Sequence, residues 1–251
     1  MSRDYLSATP LLDFEAKPIQ ALIADRGWSE LPTHDRIGAV YDFVRNDIAF
    51  GYNRADDIPA SEVLADGYGQ CNTKGTLLMA LLRAVSVPCR LHGFTIHKGL
   101  QRGVVPELVY PIAPDEILHS WVEIERDGGW INLEGFILDD GFLNALQSAF
   151  RGTESLCGYG AGTHCLSAPP ITWDGGDTYI QKTGIVRNFG VFDTPDAFYR
   201  DHGQSFGRFR GWLYRFAIRH WMNARVRAFR QGRLTPRSDL NHAREEAVDA
   251  T

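Results

Sequence analysis

The sequence of 251 residues lacks the features that mark several functional classes. No run approaches the roughly 18 apolar residues of a membrane span, and the first residues lack the apolar core of a secretory signal. We therefore expect a cytoplasmic protein. The formal net charge of −5 gives no overall attraction to nucleic acid, so we expect no nucleic-acid partner. The glycine-rich stretch 158–162 is not followed by Gly-Lys-Ser/Thr, which excludes a P-loop there.

Cysteine is also scarce. The four cysteines, Cys71, Cys89, Cys157 and Cys165, form neither a CxxC pair nor a dense disulfide framework, which favours a reducing compartment with free thiols. Cys157, Cys165 and His164 do not have the spacing of a common zinc site. No acidic loop of the EF-hand type indicates calcium. The sequence therefore predicts that neither a metal nor an organic cofactor is needed.

Cys71 lies where a loop changes abruptly to a helix. Gly-Tyr-Gly-Gln precedes it at 67–70, and an apolar run follows it from 76 to 87, before Pro88. At the first turn of a helix, unpaired N–H groups and the positive end of the helix dipole favour a thiolate. A free cysteine is otherwise often a small buried residue. The upstream Gly-Gln and a histidine–acid hairpin downstream favour a nucleophile instead.

That hairpin is predicted for two apolar flanks around Arg126-Asp127-Gly128-Gly129. If Asp127 and Gly128 form a two-residue turn, Arg126 pairs with Gly129, and counting outward pairs Trp121 with Glu134. His119 and Glu134 then share one face of the sheet and lie on a diagonal, which a long side chain can span. A shift of one residue would place them on opposite faces.

Four segments together resemble the transglutaminase-like superfamily, whose fold is related to that of papain-like cysteine proteases. Tyr-Gly-Gln-Cys at 68–71 is similar to the nucleophile segment of animal transglutaminases, and 81–90 to the family's helix-to-strand passage. His-Ser-Trp-Val-Glu at 119–123 matches the His-(Ala/Ser)-Trp-Val-Glu strand of the family. Residues 130–134 align with the strand that carries its third catalytic residue. The resemblance covers roughly residues 33 to 140.

The resemblance implies an α+β, papain-like fold, in which a helical N-terminal half carrying Cys71 packs on an antiparallel sheet carrying His119 and Glu134. It implies Cys71 as the nucleophile, His119 as the base and Glu134 as the residue that orients His119. The family's third residue is usually Asp, and Glu134 is one methylene longer. Asn72 replaces the aromatic residue that often follows the nucleophile in animal transglutaminases, so the resemblance does not by itself imply crosslinking of protein glutamines.

The expected reaction is acyl transfer or hydrolysis at the carbonyl of an amide- or peptide-containing substrate, through a thioester on Cys71. Water as the acceptor gives an amidase or peptidase, and an amine gives a transglutaminase-like amide transfer. The alternative is a catalytically silent protein- or peptide-binding module that has kept the fold.

Three further residues are candidates for oxyanion or substrate contacts. Gln70 and Asn72 flank the nucleophile, although Gln70 has the alternative role of capping the helix, and the Cys71 backbone N–H is another oxyanion donor. The loop Lys98 to Leu118, which ends at His119, is expected to form one wall of the substrate cleft, with Tyr110 as its contact. A solvated loop without substrate contact is the alternative.

The composition divides the chain into a catalytic domain with an N-terminal packing arm (1–150), an irregular connection (151–195) and a basic amphipathic helical extension (196–251). No acidic residue lies between His202 and Ser238. Arginines and large apolar residues alternate there at helical spacing. We expect the apolar face to dock on the catalytic domain, whereas binding to an anionic membrane or to an acidic protein is the alternative. The apolar residues are Phe209, Trp212, Leu213, Phe216, Trp221, Met222, Val226 and Phe229.

Overall fold

The computed structural model describes residues 4–202 and 208–234, with residues 208–210 described in their backbone only. Its helices are α1 (Lys17–Arg26), α2 (Thr33–Asn46), α3 (Ala60–Asp66), α4 (Cys71–Ala84), α5 (Asp140–Ala149), α6 (Pro195–Asp201), α7 (Arg208–Leu213) and α8 (Arg219–Arg230). Its strands are β1 (Ala49–Phe50), β2 (Tyr68–Gly69), β3 (Cys89–His97), β4 (Glu116–Arg126), β5 (Gly129–Leu133), β6 (Leu156–Gly158), β7 (Ala161–Thr163) and β8 (Ile185–Phe192). None of the described helices is long and apolar enough to cross a membrane.

Helix α4 forms the centre of the core, because every residue from Cys71 to Arg83 is buried. A helix that is buried on all sides needs neighbours on all sides, and α4 packs against α2, α3 and strand β4. Its start is fixed by Thr73, whose hydroxyl accepts from the Gln70 backbone N–H at 3.1 Å. Beyond its end, Ser86 takes a left-handed φ of 61° and Pro88 follows.

The main sheet has the strand order β5-β4-β3-β8, and its neighbouring strands are antiparallel. The β4–β5 turn places Asp127 and Gly128 at φ values of 52° and 78°, as a tight hairpin turn requires at both positions. The register runs from Arg126 opposite Gly129 to Val122 opposite Leu133. The register predicted for this hairpin is therefore confirmed, and the α+β fold agrees with the expected class.

Residues 151–195 were expected to be irregular, and the structure corrects this. They contain the β6–β7 hairpin and the whole of β8, which pairs with β3 and adds an edge strand to the main sheet. The β8 pattern is hard to recognise because its register shifts twice along β3 and Gly190 has a φ of 82°. The division of the chain into three parts stays a prediction.

The arginine-rich segment is helical and packs on the rest of the molecule. Helix α7, a π-helical turn (Tyr214–Ile218) and α8 follow one another directly. Met222, Val226 and Phe229 are buried, and the Phe229 ring centre lies 4.6 Å from that of Tyr159. The Asn223 side-chain amide bonds to both the N–H and the C=O of Tyr52, at 2.7 and 3.0 Å.

The docking covers only part of the predicted apolar face. Trp212 and Phe216 are more than half exposed, and Trp221 is nearly half exposed. The predicted extension also includes 203–207 and 235–251, and these lie outside the described residues, as do the side chains of 208–210.

Candidate active site

Cys71 is the first residue of α4, and its side chain is 8% exposed. The N–H groups of a helix's first turn have no carbonyl partner within the helix. The Cys71 N–H therefore has no carbonyl acceptor within α4. This is the local geometry that was expected of a nucleophile with an adjacent oxyanion donor.

His119 and Glu134 lie side by side on β4 and just beyond β5, and neither has any exposed surface. His119 Nε2 lies 2.7 Å from Glu134 Oε1. Glu134 Oε2 accepts from the backbone N–H groups of Ile180 and Gln181 at 2.8 and 2.9 Å. The carboxylate is thereby fixed by two backbone donors, and its remaining oxygen accepts the Nε2 proton of His119.

The second nitrogen of His119, Nδ1, is buried and has no hydrogen-bond partner among the described residues. Cys71 is nonetheless close enough to raise the pKa of the His119 imidazole. Burial lowers the pKa of His119, but the Cys71 thiolate and the Glu134 carboxylate outweigh burial and raise it to about 10. Negative charge on both sides therefore favours the imidazolium near neutral pH.

Asn72 connects the helix of Cys71 to the strand of His119. Its Nδ2 donates to the Leu118 carbonyl at 3.1 Å, and its Oδ1 accepts from the Ser120 hydroxyl at 2.9 Å. Leu118 and Ser120 are the two chain neighbours of His119. The Asn72 side chain, which is 1% exposed, is thus used within the protein in a way that fixes β4 against α4.

Gln70 is also engaged by the protein itself. Its Oε1 accepts from the Asn53 N–H at 3.0 Å, and its Nε2 donates to Asp56 Oδ1 at 2.9 Å. Burial raises the pKa of Asp56, although the hydrogen bonds from Gln70 and Asn72 oppose this. These contacts favour a positioning role for Gln70 and Asn72 over a direct contact with an oxyanion.

A cavity of about 390 Å³ adjoins Cys71, and we call it the Cys71 cavity. The loop between β3 and β4 forms one wall through Val105, Val109 and Ile112, while the C-terminal helices form another. Tyr110 does not line this cavity. Its ring lies instead 5.4 Å from Lys98 Nζ and 5.4 Å from the Arg102 guanidinium, so the expected contact between Tyr110 and substrate is not supported.

Several residues around the cavity were not identified from the sequence. Gln181 lies between β7 and β8, and Tyr199 lies on α6. Leu213, Ile218 and Met222 come from the arginine-rich segment. These residues reach Cys71 only through contacts that are distant along the chain, so no local motif marks them. Within the described part of the chain, no group of three or more His, Cys, Asp or Glu residues is placed to hold a metal ion.

A helix-borne cysteine next to a strand-borne histidine and acid is the arrangement of papain-like cysteine enzymes. Residues 22–135 match the family model of the transglutaminase-like superfamily, and this segment contains Cys71, His119 and Glu134. Over these residues the chain is similar to that superfamily.

Among solved structures, the chain is similar to a candidate cysteine protease from Cytophaga hutchinsonii, with 19% identity and a TM-score of 0.39. The alignment covers 52% of this chain and 40% of that protein's chain. No curated protein sequence gives a significant match.

Proposed function

We propose that the protein is a cysteine-dependent acyltransferase or hydrolase that acts on an amide- or peptide-like carbonyl. The observation that carries this proposal is the buried His119–Glu134 pair, with Glu134 held by two backbone N–H groups and His119 Nδ1 left for Cys71. A pair built only for packing would not need a carboxylate that accepts from three donors beside the Cys71 thiol.

In the first half of the reaction, Cys71 Sγ attacks the carbonyl carbon and the carbonyl oxygen becomes an oxyanion. The Cys71 backbone N–H donates to this oxygen. His119 Nδ1–H then gives its proton to the departing amine, the C–N bond breaks, and a thioester remains on Cys71. Glu134 holds the Nε2 proton throughout, so that Nδ1 faces the reacting atoms.

In the second half, His119 Nδ1 takes a proton from water or from an amine as that acceptor attacks the thioester. The C–S bond then breaks and the Cys71 thiolate is restored. Water gives an amidase or peptidase, and an amine gives an amide transferase. We further propose a cytoplasmic location, because a reducing compartment keeps Cys71 free.

Intact-mass spectrometry with an activated acyl ester, p-nitrophenyl acetate, tests this function. We expect one acetyl group per chain on Cys71, lost again on standing, and no such adduct in Cys71→Ala. His119→Ala should slow both formation and loss of the adduct. Adding cadaverine and measuring N-acetylcadaverine against acetate then distinguishes the amine from the water acceptor. Absence of any Cys71 adduct would favour the binding module instead.

A further inference from the structure

The Cys71 cavity has an apolar inner end and an opening lined by exposed residues. The inner end is lined by Phe50, Ile96, Val105 and Met222, each at most 4% exposed. The opening is lined by the exposed residues Asp57, Ile112 and Pro114. A volume of about 390 Å³ lies at the lower end of the range of roughly 300–1,000 Å³ for small-molecule sites. The inner end therefore suits an apolar group that leaves water on binding.

The acyl part of the substrate is the part that fits this inner end. Once the thioester forms, the acyl group stays attached to Cys71, whereas the amine must leave and the acceptor must enter. The amine must leave, and the acceptor must enter, through the opening of the cavity to solvent. The acyl group can remain enclosed until the second half of the reaction is complete.

Two buried polar atoms beside the cavity lack partners among the described residues. Gln181 is 4% exposed, and its Nε2 donates to the Gly160 carbonyl, which leaves its Oε1 without a donor. The Tyr199 hydroxyl is likewise buried and has no hydrogen-bond partner within the described residues. An unpaired buried polar group is unfavourable. One acceptor and one hydroxyl donor match the N–H and C=O of an amide.

We propose that the substrate is an amide with an apolar acyl group, which occupies the inner end of the Cys71 cavity, while Tyr199 donates to a substrate oxygen and Gln181 Oε1 accepts from a substrate N–H. This inference rests on the proposed function, because it assumes that the acyl group is transferred to Cys71. It adds the class of acyl group and names two residues that contact the substrate.

The test is a series of p-nitrophenyl esters from acetate to octanoate, with release of p-nitrophenol measured against a Cys71→Ala blank. We expect kcat/KM to rise about fourfold per added methylene over the first additions and then to level off when the inner end is filled. The ester series isolates the acyl group, since the leaving group is the same throughout.

Three variants separate the parts of the proposal. Leu213→Trp reduces the space in the cavity and should lower the ratio of octanoate to acetate turnover at least tenfold. Ala217→Trp is the matched control, because Ala217 lies exposed on the same helical segment and does not line the cavity. Its ratio should stay within twofold of the wild type. Tyr199→Phe should lower kcat/KM about tenfold for every chain length without changing the slope.

The outcomes are distinguishable. If no ester acylates Cys71, the proposed function fails and this inference fails with it. If esters acylate Cys71 at rates independent of chain length, or if both tryptophan variants change the ratio equally, only the apolar acyl site is overturned. If Tyr199→Phe is fully active with all esters and with a decanoyl anilide, the proposed contact of Tyr199 is wrong.

Discussion

Replacing Glu134 by glutamine should abolish most activity while leaving the fold intact. In the protein, Glu134 Oε2 accepts from the Ile180 and Gln181 N–H groups, and Oε1 accepts from His119. A glutamine has one oxygen, and it must stay at the two backbone donors, because an NH2 group there would face two N–H groups. The NH2 group is then directed at His119 Nε2.

With the NH2 group of the glutamine directed at Nε2, the imidazole of His119 carries its proton on the wrong nitrogen. His119 Nε2 must now accept, so Nδ1 carries the proton and can no longer take one from Cys71 or from the acceptor. The equivalent change in a serine triad lowers kcat about 10⁴-fold. We therefore expect a loss of about 10³- to 10⁴-fold in kcat/KM, or roughly 4 to 5.5 kcal/mol of transition-state stabilisation. Glu134→Asp keeps the charge and should lose far less.

The assay is turnover of p-nitrophenyl acetate across pH, with thermal unfolding as the control for folding. The Glu134 carboxylate is one of the groups that raise the pKa of His119 to about 10. Removing its charge should lower that pKa, so the alkaline fall in activity should begin at lower pH in Glu134→Gln. A near wild-type rate with an unchanged alkaline limb would refute the role of Glu134. Asp139 and Asp140 are poor substitutes, because they pair with Arg230 and Arg45.

Three further predictions follow from the same geometry. Iodoacetamide at pH 6.5 should label Cys71 alone in a Cys165→Ser variant, which removes an exposed thiol whose pKa is lowered by a hydrogen bond with Ser167. Equal, slow labelling of all remaining cysteines would contradict this. Asn72→Ala should lower kcat about tenfold and leave KM within twofold of the wild type, because it removes the contacts to Leu118 and Ser120. The control Thr76→Val in the same helix should leave kcat unchanged. Equal losses of kcat in both variants would indicate a packing effect only. Burial lowers the pKa of Lys74 to about 7, so its contribution to the free energy of unfolding should rise with pH from about 7, by up to about 1.4 kcal/mol per pH unit. Urea unfolding at pH 7, 8 and 9 should show this rise relative to Lys74→Met, and parallel curves would contradict it.

The sequence could predict the placement of Cys71, His119 and Glu134 because its determinants are local. The Asp127-Gly128 turn sets the β4–β5 register, and that register alone places His119 and Glu134 on one face. The change from glycines to leucines likewise places Cys71 at the start of α4. The other half of the Glu134 environment depends on Ile180 and Gln181, some 46 residues further along the chain. Neither spacing nor composition indicates a contact between residues so far apart in the sequence.

The role of Gln70 shows a different limit of sequence reasoning. Its position beside Cys71 is compatible with an oxyanion contact and with a cap, and both possibilities follow from the same four residues. Only the three-dimensional placement of Asn53 and Asp56 shows that both ends of the Gln70 amide are used within the protein. The loop 53–57 contributes these partners through backbone turns that no periodic pattern predicts.

The arginine-rich segment shows why an amphipathic pattern predicts a docked helix but not which residues dock. The π-helical turn Tyr214–Ile218 adds a residue to the helix and rotates the preceding part by about 100° relative to α8. A single stripe drawn at 3.6 residues per turn therefore divides into two. Met222, Val226 and Phe229 face the core, whereas Trp212 before the turn and Phe216 within it remain exposed. Leu213, Ile218 and Met222 of the arginine-rich segment line the Cys71 cavity. The candidate site therefore extends beyond residue 195. It includes a segment that composition alone would separate from the catalytic domain.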